Sequence, residues 1–445
     1  MKKVIVVGGG YAGAAAATAL SEKGFQVDLL ESRGFLGGRV YSTAPTESFP
    51  APVDNGPHLF MGCYRETLQL LERLKVSEPF QVLDPLYLSW LIPGGKKVSL
   101  RCASLPAPFH LAWGLLRSDA FSFKEKLSLA RAVSIFSKKP FKFNPSLRTV
   151  AQFLDATHQG PGARERFWIP LTNAVLNVPV TIAPLQGLGE VLCRIFFGNR
   201  RDSALMFATK PLSELAFPEV SGFLAEKGGQ VHFHEGIQSF TIPEGSFELK
   251  SRSGKNFMGD ALVWAVPPSS LSALWPKDTW SASESFGKMG KSPIVSVHLI
   301  LSKEVVEEQM VGLSGAKFDW VFNRNANWGW NGKGQYLSFT ASAAAVLALL
   351  KDPELVDLAL RELSERCLQA KDLSVLHSKV TREMAATFSW TQETDPLRPR
   401  CETPYANIFL AGDWTATGLP ATIEGACLSG HRAAEKVTEY LLKNT

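Results

Sequence analysis

Long apolar runs are absent. No stretch of the 445 residues approaches the ~20 consecutive apolar residues of a membrane-spanning helix; the nearest, residues 341–350, is about half that length and reads as a buried helix. No secretory leader is expected, because the apolar run after Met1-Lys2-Lys3 stops at Gly8-Gly9-Gly10. The six cysteines, at 63, 102, 193, 367, 401 and 427, form no Cys-x-x-Cys pair and keep no ligand spacing with His. That argues against a metal site or a disulfide framework and for reduced thiols in a cytoplasmic protein. Charge of one sign is scarce as well. A net charge of +5 is modest for this length, and short basic steps such as Lys138-Lys139 and Arg200-Arg201 do not make the stripe of a nucleic-acid binder.

The chain is longer than the roughly 250–300 residues at which single cores stop growing, so at least two domains are expected. No low-complexity linker separates them, which predicts domains assembled from non-contiguous pieces. Strands and helices interleave without a fixed period, the pattern of an α/β protein with insertions.

The densest signal lies at the start. Residues 3–7 are a β-branched run suited to a buried parallel strand, residues 11–20 are alanine-rich and helical, and residues 27–30 form a second strand closing on Glu31. Between the first two stands Gly8-Gly9-Gly10-Tyr11-Ala12-Gly13, a G-x-G-x-x-G string. Gly8 permits the tight turn, Gly10 a close approach of backbone to a pyrophosphate, and Gly13 close packing of helix on strand, with Ala12 in the same first turn. The helix start then offers unpaired N–H groups to phosphate, and Glu31 can accept from ribose hydroxyls. This context predicts a dinucleotide, without choosing which.

Two distant segments sharpen the choice. In Gly37-Gly38-Arg39, glycines again allow close approach and Arg39 can pair with a phosphate. Near the other end stand Gly412-Asp413 and then Gly418-Leu419-Pro420-Ala421-Thr422-Ile423-Glu424. There Asp413 could bind a ribityl hydroxyl, and the helix beginning near Thr422 and Ile423 could place N–H groups against a flavin carbonyl.

Together the two ends resemble the FAD-dependent amine oxidase, phytoene desaturase and protoporphyrinogen oxidase superfamily. The segments Val53-Asp54-Asn55-Gly56-Pro57-His58, Gly62-Cys63-Tyr64-Arg65-Glu66-Thr67, Phe167-Trp168-Ile169-Pro170-Leu171 and Leu176-Asn177, with the block 406–430, look more closely like the squalene-associated FAD-dependent desaturases, now called hydroxysqualene dehydroxylases. Pro57, where the family usually carries Gln, and Ala416, where an acid is usual, depart from that pattern. The resemblance covers essentially the whole chain and implies FAD held by Gly8, Gly10, Ala12, Gly13, Glu31, Gly38, Arg39, Gly56, Gly412, Asp413, Thr422 and Ile423, with the backbone of Ile237 against the adenine. It further implies reductive removal of the allylic hydroxyl of hydroxysqualene, giving squalene on the way to hopanoids. The fold it implies is a discontinuous Rossmann-like FAD-binding domain, about residues 1–80, 205–290 and 380–445, with an inserted α+β substrate domain, about 81–204 and 291–379.

Loss of hydroxide needs a proton donor. His58, which titrates near neutrality, and Asp54 are the candidates in the flavin-facing segment, with backbone-bonded structure as the rival reading of His58. Glu424 reads more simply as a cap. A hydrophobic triterpene is the expected substrate. The apolar, proline-broken residues 102–117, ending on Arg117, fit either a membrane interface near a tunnel mouth or interior packing. No second strand–GxGxxG–helix unit offers a nicotinamide site, so the electron donor is open. Three rivals stand: a carotenoid-type desaturase moving hydride the other way, an amine oxidase with a cage drawn from Trp328, Trp330 and Trp390, and a flavin-stabilised escort protein without turnover.

Overall fold

The computed structural model describes residues 1–243, 245–370 and 373–443. At its centre is a five-stranded sheet in the order Gln230–His232, Gln26–Leu30, Lys3–Val7, Ala261–Trp264 and Ile408–Leu410. All neighbours run parallel. Val4, Ile5 and Val6 are shielded from solvent on both faces, which is why this strand is a continuous apolar run rather than an alternating one. Val7 lies level with Leu30 on one side and Trp264 on the other, and Trp264 with Leu410. The carboxyl ends of strands about 400 residues apart in sequence therefore open on one crevice, the place where parallel α/β sheets bind ligands.

One face of this sheet carries the first helix, Tyr11–Glu22, and the last, Ile423–Lys443. The alanines of the first are buried along its whole length. A side chain at Gly430 would collide with the Ala12 carbonyl oxygen, so small residues on both helices set how close they come.

A second, seven-stranded sheet is mostly antiparallel: Val375–Thr387, Ser292–Leu301, Gln335–Ala341, Trp320–Asn323, Met310–Leu313, Tyr87–Ile92 and Lys96–Arg101. Its one parallel pair is Met310–Leu313 with Tyr87–Ile92. The fold is thus α/β, a Rossmann-like unit joined to a substrate-side α+β unit. A small sheet of Leu59–Met61, Leu205–Ala208 and Phe80–Leu83 lies between them in the chain order. Among the described residues no helix is long and apolar enough to cross a membrane.

One expectation fails. Residues 341–350 are not a buried helix. The strand Gln335–Ala341 ends at Ala341 opposite Val295, Ala343 takes a left-handed φ of 51°, and only a short 3-10 turn, Leu347–Leu349, follows. Val346 is 76% and Leu349 82% exposed. Of these apolar letters only Ala341 belongs to the strand and the rest form turns, and the backbone reversal at Ala343 stops any helix from spanning them.

Candidate cofactor and substrate site

Gly8, with φ 111°, donates its N–H to the Leu30 carbonyl at 2.8 Å, and a Cβ there would press on the Ala265 carbonyl carbon at 2.9 Å. Gly10 caps the first helix in extended conformation and supplies no side-chain acceptor to its first turn. Those N–H groups therefore face the crevice without a protein side chain to satisfy them. Opposite stands Gly38, φ 60°, whose missing Cβ would sit 3.2 Å from the Gly10 Cα. Two glycine loops thus meet backbone to backbone, and the Gly37 N–H donates to the Gly9 carbonyl at 2.8 Å. A pyrophosphate fits such a cradle, since neither wall has side chains to exclude it.

Glu31 is buried and accepts from the Gly9 N–H at 2.8 Å through one oxygen and from the Arg33 N–H at 2.8 Å through the other. The Glu235 N–H donates to the Glu31 carbonyl at 2.8 Å, which brings the buried Ile237, at the start of the strand Ile237–Thr241, to the same end of the crevice. Gly56 is buried with only Ser296 Oγ near its Cβ position, at 3.8 Å.

Arg39 has a protein partner. Its Nη2 pairs with Asp413 Oδ1 at 2.8 Å, and its Nη1 donates to the Ala386 carbonyl at 2.8 Å. The glycine loop at one end of the chain is thereby clasped to the Gly412-Asp413 turn at the other. Gly412 takes φ 145° and donates its N–H to Ser429 Oγ at 2.8 Å. Thr422 caps the last helix, its hydroxyl accepting from the Gly425 N–H at 3.1 Å, with Ile423 next in line. Glu424 also caps, but a different helix. Its carboxylate accepts from the Glu66 N–H (3.1 Å), the Thr67 N–H (3.0 Å) and the Thr67 hydroxyl (2.9 Å), at the start of Arg65–Arg73.

The two proton-donor candidates are placed very differently. Asp54 is buried; it accepts from Ser42 Oγ at 2.7 Å and the Leu212 N–H at 3.1 Å, and pairs with Arg324 Nη2 at 3.2 Å. His58 Nδ1 lies 2.7 Å from the Gly56 carbonyl. A carbonyl can only accept, so Nδ1 carries the proton and Nε2 presents a lone pair. Burial pushes its pKa below the ordinary value. This histidine is arranged to accept a hydrogen bond at neutral pH rather than to give a proton.

Arg324 continues into a buried network. Its Nε donates to Ser338 Oγ at 3.1 Å, and its guanidinium lies 4.1 Å from the centre of the Trp328 ring. Ser338 and Tyr336 both reach His298 Nδ1, and His298 Nε2 lies 3.3 Å from Thr381 Oγ1, which donates to the Asn55 carbonyl at 2.9 Å. The strands of the second sheet thus hold the Asp54-Asn55-Gly56 backbone from behind. Burial drives the His298 pKa well below its ordinary 6.5. A histidine that stays neutral in the folded chain takes up a proton only on unfolding, so stability is full above pH 6.5 and falls as pH drops below it, by about 1.4 kcal/mol per pH unit for one such residue. Urea unfolding between pH 7 and 5 should show this loss, and His298→Gln should flatten it. An unchanged slope in the variant would assign the acid sensitivity to other groups.

Beside the start of the last helix is a pocket lined by Met61, Val175, Val191, Ile195, Leu419 and Pro420, with Tyr64, Cys63, Arg194, Thr422 and Glu424 as its polar members. Burial raises the Tyr64 pKa, keeping its hydroxyl protonated. The significance of Tyr64 and Arg194 escaped the sequence reading. Tyr64 stands inside a quoted segment, but nothing there says which residue faces a pocket. The tryptophans do not form a cage. Trp328 and Trp330 pack on Tyr336, and the face of Trp328 is occupied by Arg324. Trp390 lies elsewhere, donating to Asp395 at 2.7 Å beneath Arg398. Gly187 and Gly189 sit inside the helix Leu185–Phe196, packed on Trp390 and on Phe141, so they form no nucleotide loop.

A family model described as flavin containing amine oxidoreductase matches residues 11–438. A hydroxysqualene dehydroxylase of Rhodopseudomonas palustris is 27% identical over 452 residues, covering 98% of both chains. A zeta-carotene desaturase of Zea mays is 23% identical over 476 residues, covering 97% of this chain and 82% of its own. Among solved structures, an oxidoreductase from Methanosarcina mazei superposes with a TM-score of 0.74 at 15% identity, covering 97% of this chain and all of that one (100%).

Proposed function

The chain belongs to the flavin containing amine oxidoreductase family and its cofactor is FAD; from that footing we propose that it reduces hydroxysqualene to squalene, removing the hydroxyl as water. The observation that carries this reading is the pocket beside the last helix, whose exposed lining is mostly hydrocarbon, with Tyr64, Arg194, Thr422 and Glu424 among its residues. Such a lining suits an isoprenoid chain bearing a single hydroxyl, and the Glu424 carboxylate, which would attract an ammonium group, is engaged by the Glu66 and Thr67 N–H groups. Full-length similarity to two hydroxysqualene dehydroxylases supports it.

The reaction consumes one hydride and one proton and releases water. Reduced FAD, when bound, supplies the hydride. The chain's residues bind, orient and exclude water. Tyr64, which lines the pocket and whose hydroxyl burial keeps protonated, would donate a hydrogen bond to the departing oxygen, and the apolar wall keeps bulk water from the carbon left behind. Asp54 takes no part in proton transfer, being committed to Arg324, Ser42 and Leu212.

Anaerobic incubation of the photoreduced protein with hydroxysqualene, phytoene and a monoamine in parallel tests the reading. Squalene should form in the first vessel only. Tyr64→Phe should lower kcat roughly ten- to hundred-fold, the worth of one hydrogen bond to developing charge, with KM little changed. No squalene from the reduced protein would overturn the proposal. The similarity to zeta-carotene desaturases favours one second reading, a polyene desaturase working from oxidised FAD. Desaturated product from the oxidised protein and phytoene would select it.

A further inference from the structure

Large apolar side chains are exposed together at one place. In the helix Phe109–Arg117, Phe109 is 64% and Leu116 65% exposed, with Trp113 between them at a spacing that puts all three on one face. In the following helix, Phe123–Ser134, Phe123 is 77% exposed and Leu127 lies one turn on. Lys126 Nζ donates to the Leu116 carbonyl at 2.8 Å, tying the second helix to the end of the first. Two apolar stripes therefore make one patch, larger than the segment that sequence alone pointed to.

The segment that carries the patch is basic, although its Lys139 is paired with Glu190. Residues 101–142 contain eight Lys and Arg and two acids, Asp119 and Glu125. Both acids are turned to backbone: Asp119 accepts from the Ser99 N–H at 2.7 Å, and Glu125 from the Ser122 and Ala163 N–H groups at 2.9 and 3.1 Å. Arg117 lies 5.4 Å from the centre of the Trp113 ring, an amphipathic pair of the kind that sits at a lipid headgroup boundary.

Hydrogen bonds tie the buried side of the helix Phe109–Arg117 to the segment that borders the pocket. His110, buried beneath the first helix, bonds Ser203 Oγ at 3.1 Å. The same short segment receives the Gly62 N–H on the Ala204 carbonyl and the Cys63 N–H on the Asp202 carbonyl, and Cys63 lines the pocket. We propose that the helices Phe109–Arg117 and Phe123–Ser134 dock on an anionic lipid bilayer, so that an apolar substrate passes from the bilayer to the pocket without crossing water. Docking stands on the patch and its charge; only the passage of substrate rests on the proposed function. A second copy of this chain is the poorer occupant, since a symmetric contact would set two basic segments against each other.

Flotation of the holoprotein with phosphatidylcholine vesicles, with and without phosphatidylglycerol, tests this. The protein should float with the anionic vesicles and release at high salt. Phe109→Ser combined with Phe123→Ser should weaken vesicle affinity about ten-fold or more. Turnover of detergent-dispersed hydroxysqualene should be unchanged. Failure of the unmodified protein to float, or equal flotation of the double variant, would overturn the proposal. So would sedimentation showing a dimer that the same substitutions dissolve. Normal flotation with no turnover in either protein would instead count against the dehydroxylase reading and leave docking intact.

Discussion

Replacing Gly13 with alanine is expected to give a folded chain that retains little flavin. An added Cβ would overlap the Gly8 carbonyl oxygen and lie 3.0 Å from its carbonyl carbon. Both are backbone atoms of the strand-to-helix turn, so no side chain can swing away. The first helix must lift from the turn, taking its unsatisfied N–H groups out of line with the phosphates. Flavin affinity should fall by ten-fold or more, at about 1.4 kcal/mol for each factor of ten. The check is the ratio of flavin to protein absorbance after purification and after titration with FAD. Normal occupancy would show that the turn yields more easily than its geometry implies. The same substitution at Gly222, exposed within the helix Phe217–Glu226 with nothing inside 4 Å of the new methyl, should instead stabilise the fold by about 0.5–1 kcal/mol.

The second large effect is expected at Arg324. Arg324→Met leaves the Asp54 carboxylate buried with two neutral donors and no opposite charge, and empties the place above Trp328. Breaking a buried pair from one side costs about 3–5 kcal/mol. Asp54→Asn should be costly for the mirror reason, a guanidinium left without its partner. The double variant Asp54→Asn/Arg324→Met should lose clearly less than the two single losses together, because neither residual charge remains. Urea unfolding of all four proteins supplies the cycle. Strict additivity would mean that the two groups do not sense each other. A lowered turnover in Asp54→Asn is therefore to be read beside its stability and flavin content before any chemistry is assigned to the carboxylate.

What could be read beforehand follows the range of the interaction. The strand–glycine–helix–strand unit was legible because its elements follow one another within some thirty residues, although Gly8 and Gly10 also answer to the more distant backbone of Ala265 and Gly38. That Gly412 and Asp413 belong with that unit was legible only by resemblance. That Arg39 pairs with Asp413 was not, since a guanidinium beside glycines suits a phosphate equally well, and 374 residues separate the partners. The Asp54-Asn55-Gly56 segment was singled out by resemblance alone, while its support by Arg324, His298 and Thr381 arises from sheet register, which no local pattern encodes. Glu424 read as a cap, and capping is its role here, although the helix it caps starts about 360 residues earlier. The apolar letters of residues 341–350 misled because periodicity cannot distinguish a strand end followed by a surface turn from a short buried helix.

The clasp between Arg39 and Asp413 also bears on how the molecule is made. The glycine loop, the first part of the crevice to be synthesised, has neither its charge partner nor the edge strand Ile408–Leu410 until the final tenth of the chain has been added. The central sheet likewise waits for the strand Ala261–Trp264 before its oldest member is flanked on both sides. The nascent chain therefore passes most of its synthesis with a nucleotide loop that cannot close, and flavin capture becomes a closing event of biogenesis. Cofactor supply in the cell would then act on finished chains, as a late selection for those that have brought their two ends together.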